Sequence, residues 1–463
     1  MSIQRLRSGN LQLDEILRGG MPSNGIVLLM GPPGAGKTIL AQQYLFHNAA
    51  PHRPGVYLST VSEPMEKILR YGQSLDFFEA EKVGTSVFYE SLSDALIGDG
   101  LSGVFNAIED LLKLRKPSLL IIDGFKAIHH YDGGRDLRTF LHRLAGILSV
   151  FPVTTFLLGE YESDDVAGYP EFGVVDAILS LDMDRSALRE KRVLQVVKLR
   201  GSDFMSGHHA YRITGGGLDI FPRLADPVDS SSYHRVSARV DSGVVGLNEM
   251  LQGGLFQGSS TLVAGPTGSG KTLLGLHFIL AGLSNGELGV FASFNEDPAQ
   301  LERMSHGFGW VLDRDVVMHR VPVDLHIDEW VYELLNAVER QGISRVVIDG
   351  ISELHLASGD QIRFREYMYS MLHRLSRAGN TVVMTEETPN GTNLQSAGRN
   401  VAISDVADNL ILLDYESISP IVARSIAVLK TRATAHDQTV RSYTIDERGL
   451  TIGEALSGPS VRS

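Results

Sequence analysis

The chain has 463 residues, too many for one comfortable hydrophobic core and suited to two or three domains. Apolar residues make up 43% and charged residues 21%, the proportions of an ordinary globular protein rather than a disordered or fibrous one. No apolar run approaches the ~18 residues of a membrane span, and the N-terminus MSIQRLRSGN has charge but no apolar stretch, so secretion is not expected. Zero cysteines exclude a disulfide framework, a Cys-ligated zinc site and a thiol nucleophile. A cytoplasmic location fits these features. The net charge of −13 argues against broad attraction to nucleic acid or anionic membrane, while leaving room for a basic channel inside an acidic ring.

In chain order, the first signal is Ser8-Gly9 followed by Leu13–Gly20 (LDEILRGG). The apolar run Ile26–Met30 then reads as a strand and leads directly into Gly31-Pro32-Pro33-Gly34-Ala35-Gly36-Lys37-Thr38. This octapeptide satisfies G-x-x-x-x-G-K-[ST] and precedes a helix-like stretch, the context that turns the pattern into a phosphate site. Its glycines let successive backbone N–H groups converge on phosphates, and the helix N-terminus adds a positive dipole end. Lys37 would bring a point charge to the phosphates and Thr38 a hydroxyl to Mg²⁺. Next comes Tyr57–Pro64 (YLSTVSEP), with Glu63 placed to orient or deprotonate an attacking water. Val104–Leu114 has helical character, and Leu119–Asp123 reads as a strand buried on both faces. Asp123 at its end is the Walker-B position, whose carboxylate reaches Mg²⁺. His129-His130 and His208-His209 lack the spacing of metal ligands. Lys198-Leu199-Arg200 closes a further strand with two cations on one face.

The segment 223–240 loses apolar periodicity and gathers Pro227 and Ser230–Ser232, which marks a linker. Beyond it the pattern returns 234 positions later: Ser242-Gly243, Leu247–Gly254, and Gly265-Pro266-Thr267-Gly268-Ser269-Gly270-Lys271-Thr272 after the strand-like Thr261–Ala264. Phe291–Pro298 (FASFNEDP) offers Glu296 for the water; aligning the prolines sets Ser62 opposite Glu296 and Glu63 opposite Asp297. Glu329–Arg340 is helix-like, and Val346–Asp349 repeats the buried strand with Asp349 at its end. Lys271, Thr272 and Asp349 inherit the roles of Lys37, Thr38 and Asp123. Tyr367 and Tyr369 read as core or subunit-contact residues, and Arg363-Phe364-Arg365 as a solvated helix face, since aromatics interleaved with basic residues, as single-stranded nucleic acid requires, are missing. Lys430-Thr431-Arg432 repeats the cation pair. The expected organisation is therefore α/β: an ATPase domain at 1–222, a linker at 223–240, a second ATPase domain at 241–455 and a tail at 456–463, each domain a mostly parallel sheet flanked by helices.

Taken together, these residues resemble the KaiC branch of the RecA-like P-loop ATPases, the family that includes the circadian clock ATPase and autokinase. The resemblance spans nearly the whole chain, and Lys198–Ser202 (KLRGS) with Met205 and Ile213…Ile220-Phe221-Pro222 carries it most specifically. It implies two tandem RecA-like domains, a homohexamer of two stacked rings, ATP with Mg²⁺ at subunit interfaces, and Lys198, Arg200, Lys430 and Arg432 reaching the neighbouring subunit's nucleotide. It also implies an unidentified signalling partner and places a phosphoacceptor at Ser404. Asp405 stands where the family has a threonine, so a fixed negative charge replaces a phosphate worth roughly −1.5 to −2. The family's paired glutamates after the second strand become Asn295-Glu296 in the second domain and Val61-Ser62 in the first. The clock protein continues beyond the region matching Leu450–Gly453 into a segment that receives its activating partner, and activation by that route is not expected here. Two other readings stand beside this one: a RecA-like DNA-dependent motor or recombinase, and an ATP-gated scaffold with only one hydrolysing ring.

Overall fold

Each half of the chain builds a nine-stranded sheet with its P-loop strand near the middle. The computed structural model describes residues 4–60, 65–131, 137–162, 165, 168–184, 191–224, 237–313, 316–322, 325–388, 403–418, 421–432 and 434–456. In the first half six parallel strands lie in the order Val87–Ser91, Gly55–Ser59, Leu119–Asp123, Thr154–Gly159, Ile26–Met30 and Ala177–Asp184. Three antiparallel strands, Lys191–Leu199, His208–Thr214 and Gly217–Phe221, complete that sheet. The second half repeats the order: Val317–His319, Gly289–Ser293, Arg345–Asp349, Thr381–Glu387, Ser260–Gly265 and Asn409–Ile418, then antiparallel Ile421–Thr431, Arg441–Asp446 and Gly449–Ala455.

The continuous apolar runs follow from this layering. Ile26, Leu28 and Met30 enter one core while Val27 and Leu29 enter the core on the opposite face of the sheet. A strand covered by helices on both sides has no polar face to show, so alternation disappears. The helices Ser93–Arg115 and Ile327–Gln341 contain the two stretches expected to be helical, the first broken at Gly100 with φ of 57°. Among the described residues, no helix is long and apolar enough to cross a membrane.

The repeated Ser-Gly…Asp/Asn motif has a structural reason. Asp14 Oδ1 accepts from the Ser8 N–H (2.9 Å) and hydroxyl (2.8 Å), and Asn248 Oδ1 accepts from the same groups of Ser242 (3.0 and 2.7 Å). Arg5 and Arg239 then tie carbonyls of Leu17 and Gly20, and of Leu251 and Gly254.

The chain divides into two compact units, Met1–Arg223 and Leu224–Ser463. Of the segment read as a linker, residues 225–236 lie outside the described residues, whereas Arg223 donates its N–H to His209 Nδ1 and Arg239–Val240 pairs with Leu255–Phe256. The tail beyond Leu456 is likewise outside them.

One expectation fails. Arg363 does not lie on a solvated face: its guanidinium turns inward to both oxygens of Asp328 (2.8 and 2.7 Å), and Phe364 is fully buried. Asp328 is itself buried and also accepts from Tyr367, so the charge must be paired rather than left in an apolar layer. Arg365 does stay exposed. The adjacent His208 and His209 point to opposite faces of their strand, His209 buried against the carbonyl of Met205.

A second buried cation, Arg345, opens the Asp349 strand. It donates to the carbonyls of Asp241 (2.7 Å) and Phe278 (2.8 Å), pairs with Glu287 and covers the Phe278 ring. It therefore binds the P-loop helix Lys271–Ser284 to the strand that ends in Asp349. Arg345→Met removes these hydrogen bonds and the contact with Glu287, and we expect a loss of about 2–3 kcal/mol in the second unit, seen as a lowered thermal transition by circular dichroism.

Candidate functional site

Both P-loops leave their strand at the carboxyl end of the parallel sheet, where open α/β sheets bind ligands. In the first unit a cleft of about 790 Å³ opens there, lined by Pro33, Gly34, Lys37, Thr38, Asp123 and Glu160 among others. Gly31 has φ of 144°, and a Cβ there would stand 1.8 Å from the carbonyl oxygen of Leu181, so only glycine fits. Gly36 and Gly270 cap the following helices in the left-handed conformation, which turns the first helical N–H groups toward the loop.

Lys37 Nζ donates to the carbonyls of Gly31 (2.8 Å) and Pro32 (2.9 Å), and Lys271 Nζ to those of Gly265 and Pro266 (both 2.8 Å). Burial lowers the pKa of both amino groups; Glu160 and Asp123 oppose this for Lys37, and Glu387, Asp349 and Glu296 for Lys271. The loop is braced from the far strands. Tyr211 donates to the carbonyl of Ala35 at 2.5 Å and Tyr443 to that of Ser269, while Thr267 binds Glu387 and Gly268 takes φ of 76°.

Thr38 Oγ1 meets Asp123 Oδ2 at 3.0 Å, and Thr272 Oγ1 meets Asp349 Oδ2 at 2.9 Å. A hydroxyl and a carboxylate side by side at the lip of a phosphate loop form a hard oxygen donor set, which suits Mg²⁺. Burial raises the pKa of both aspartates, opposed in the first by the hydroxyls of Tyr57 and Thr38 and the N–H of Gly124. In the second, Thr385 and Thr272 oppose it and Glu296 reinforces it. A desolvated carboxylate gains from a cation nearby.

Of the remaining sequence candidates, Glu296 belongs to this cluster: it accepts from Ser293 Oγ (3.3 Å) and acts electrostatically on Asp349 and Lys271. Asp297 is instead the cap of helix Pro298–Gly307. Glu63 and its neighbours Val61 and Ser62 lie outside the described residues. The Lys-x-Arg pairs are elsewhere. Lys198 Nζ donates to the carbonyl of Phe172 (3.1 Å), and Arg200 to that of Gly173 and to Asp176. Lys430 Nζ holds the carbonyls of Ser404 (2.8 Å) and Ala407 (2.7 Å), and Arg432 that of Asp405. Ser404 thus sits in the turn that the second pair grips, and the Asp405 carboxylate pairs with Arg365.

Sequence reading missed Glu160 and Glu387, the acids beside each P-loop lysine. Each ends or follows the strand next to the P-loop strand, with Gly159 level with Met30 and Glu387 level with Gly265. The signal was an acid closing an apolar run; only strand order makes it a neighbour.

Two phosphate loops, each joined to a strand-end aspartate (Asp349 buried, Asp123 half-buried) on a parallel sheet, define a duplicated P-loop ATPase. The family described as "ATPase: KaiC" matches residues 6–225 and again 240–457, and the chain belongs to this family. It is similar to the circadian clock oscillator protein KaiC of Rippkaea orientalis, 28% identical over 474 residues covering 98% of this chain and 89% of that protein. It is likewise similar to KaiC 1 (27% identical) and circadian clock protein KaiC3 (28%) of Synechocystis, over 98% of this chain and 90% and 92% of theirs.

Because the two loops are separate, we expect two ATP molecules per chain by equilibrium dialysis. Lys37→Ala and Lys271→Ala should each reduce this to one and the double variant to none, since removal of a charged phosphate donor costs on the order of ten-fold or more in affinity.

Proposed function

We propose that this ATPase is Mg²⁺-dependent and works as a homo-oligomer, a hexameric double ring, with nucleotide held between subunits. The observation that supports it is where the cation pairs sit. Lys198 is level with Ile178, and Arg200 lies beyond Leu199, which is level with Ala177 and so with Val27. That is the start of the P-loop strand, whereas the P-loop leaves its other end. Lys430 is level with Leu410 and Leu262 in the same way. Each strand residue rises about 3.3 Å, so each pair lies roughly 10 Å or more down the sheet from its own loop. A neighbouring chain's nucleotide is the natural target for such a pair.

In this reading Lys37 and Lys271 neutralise the phosphates. Thr38 with Asp123, and Thr272 with Asp349, would hold Mg²⁺, which would supply further charge neutralisation at the phosphate oxygens. Glu296, and Glu63 in the first unit, orient and deprotonate the attacking water, and Glu296 also acts on the serine hydroxyl. The neighbour's Lys198 and Arg200, or Lys430 and Arg432, stabilise the transferring phosphoryl group. Ser404 is the proposed autophosphorylation acceptor of the second domain, beside the fixed charge of Asp405. The output is a clock-type conformational signal to a partner protein.

Mixing separates neighbours from self. In a Lys37→Ala background, Lys271→Ala chains and Arg432→Ala chains should each hydrolyse ATP poorly, Arg432→Ala by about 10³-fold in kcat. Co-assembled, they should recover turnover, because some interfaces then join an intact cleft to an intact arginine. Absence of recovery in assembled rings would mean the pair acts within one chain. For the acceptor, intact mass after incubation with Mg–ATP should show one added phosphate, absent in Ser404→Ala and in Glu296→Gln. An unchanged mass with ADP accumulating would leave hydrolysis without a kinase.

A further inference from the structure

One histidine of the pair rejected as metal ligands lies in the first cleft. His129 sits in the 3₁₀ turn Phe125–Tyr131 that follows Asp123, and it lines the cleft with Lys126, Glu160 and Tyr169. Its Nε2 donates to Glu171 Oε1 at 2.9 Å. Glu171 has no solvent exposure; Oε1 also accepts from Tyr161, and Oε2 has no partner among the described residues. Lys126, from the same turn, binds the carbonyl of Glu160 (2.8 Å) and the carboxylate of Asp165 (2.9 Å).

A buried carboxylate with an unpartnered oxygen is costly, so stability alone does not account for Glu171. The second unit makes the point directly. Asp176 and Asp408 accept from the backbone N–H that opens each P-loop strand, at Ile26 and at Ser260. Counting back five residues from each sets Ile403, fully buried, in the place of Glu171. His355 holds the place of His129, six residues after Asp349, and there it stacks on Phe364 with 4.7 Å between ring centres. A buried aliphatic side chain therefore stands in the second unit where the first has a carboxylate.

What Glu171 adds is continuity. The residues after it, Phe172 and Gly173, offer the carbonyls that Lys198 and Arg200 hold. We infer that His129 and Glu171 are positioning residues that join the wall of the first cleft to the segment carrying Lys198 and Arg200. On the proposed reading that this pair serves the neighbouring chain, a shift in the turn after Asp123 moves His129, then Glu171, then the carbonyls beneath the pair. Nucleotide in one subunit thereby sets the cations offered to the next, in the first ring only. The coupling runs through contiguous packed and hydrogen-bonded groups.

The test isolates the first ring in Lys271→Ala protein and compares ATP turnover for Glu171→Ile, Glu171→Gln, Arg200→Ala and Glu171→Ile with Arg200→Ala. Glu171→Ile copies the second unit, so folding and assembly should survive, as sedimentation velocity and circular dichroism would report. Its kcat should fall about 10- to 100-fold, the scale of a misplaced catalytic group, with KM holding steady. Glu171→Gln keeps an acceptor for Tyr161 and His129 and should lose less. The double variant should be no slower than Arg200→Ala alone, because both act through one segment. Multiplying losses, or an unchanged kcat in Glu171→Ile, would overturn the inference. A fully active Arg200→Ala, or rings that never form, would instead remove the neighbour reading on which it rests.

Discussion

The hydrogen bond from the P-loop threonine to a strand-end aspartate, Thr38 to Asp123 and Thr272 to Asp349, is the contact on which the rest of the molecule depends. It closes the crevice between a helix N-terminus and a strand two places away in the sheet, with Thr154–Gly159 or Thr381–Glu387 between them. Reaching across requires a parallel sheet whose P-loop strand lies inside it, helix layers on both faces, and a glycine-lined turn that admits no Cβ. Each of those requirements appears in the sequence as a separate signal.

The signals differ in how visible they are. The octapeptides, the buried runs Ile26–Met30 and Leu119–Asp123, and the Ser-Gly…Asp/Asn motif can be read directly, because local backbone geometry and two-sided burial dictate them. Glu160 and Glu387 could not be read in this way: their meaning comes from a strand inserted beside the P-loop strand, a neighbour far away in sequence. Arg363 was misjudged for the same reason. A helical Arg-Phe-Arg reads as solvated unless one knows that Asp328, on another helix, is buried opposite it. The Lys-x-Arg pairs were legible as two cations on one side of a strand. Their height along the sheet was not, because it depends on how each strand registers against its neighbour.

The two units also show how duplicated chemistry can be kept while its supports diverge. Each strand-end aspartate takes a second hydroxyl, from Tyr57 in the first unit and from Thr385 in the second. Tyr57 is the third residue of its strand, where the second unit has Phe291; Thr385 is level with Val263, where the first unit has Leu158 level with Leu29. The hydroxyl has thus moved from one flanking strand to the other while its target stays fixed. What persists is a donor to the desolvated carboxylate, because an unpartnered charge there is the costly state.

The same comparison separates groups kept identical around the two P-loops from groups that differ beneath the two cation pairs. Lysine, threonine and aspartate occupy identical places in both copies. The segment under the cation pair does not: the first unit has Glu171-Phe172-Gly173 and the second Ile403-Ser404-Asp405. In the first, the polar contact runs inward, from Glu171 to His129 at the cleft. In the second it runs outward, from Asp405 to Arg365 on an exposed helix face, with Ser404 between. A buried contact is insulated from salt and solvent, whereas an exposed ion pair is screened and easily remade. The divergence follows the physics of burial: the first unit has the rigid linkage and the second the adjustable one.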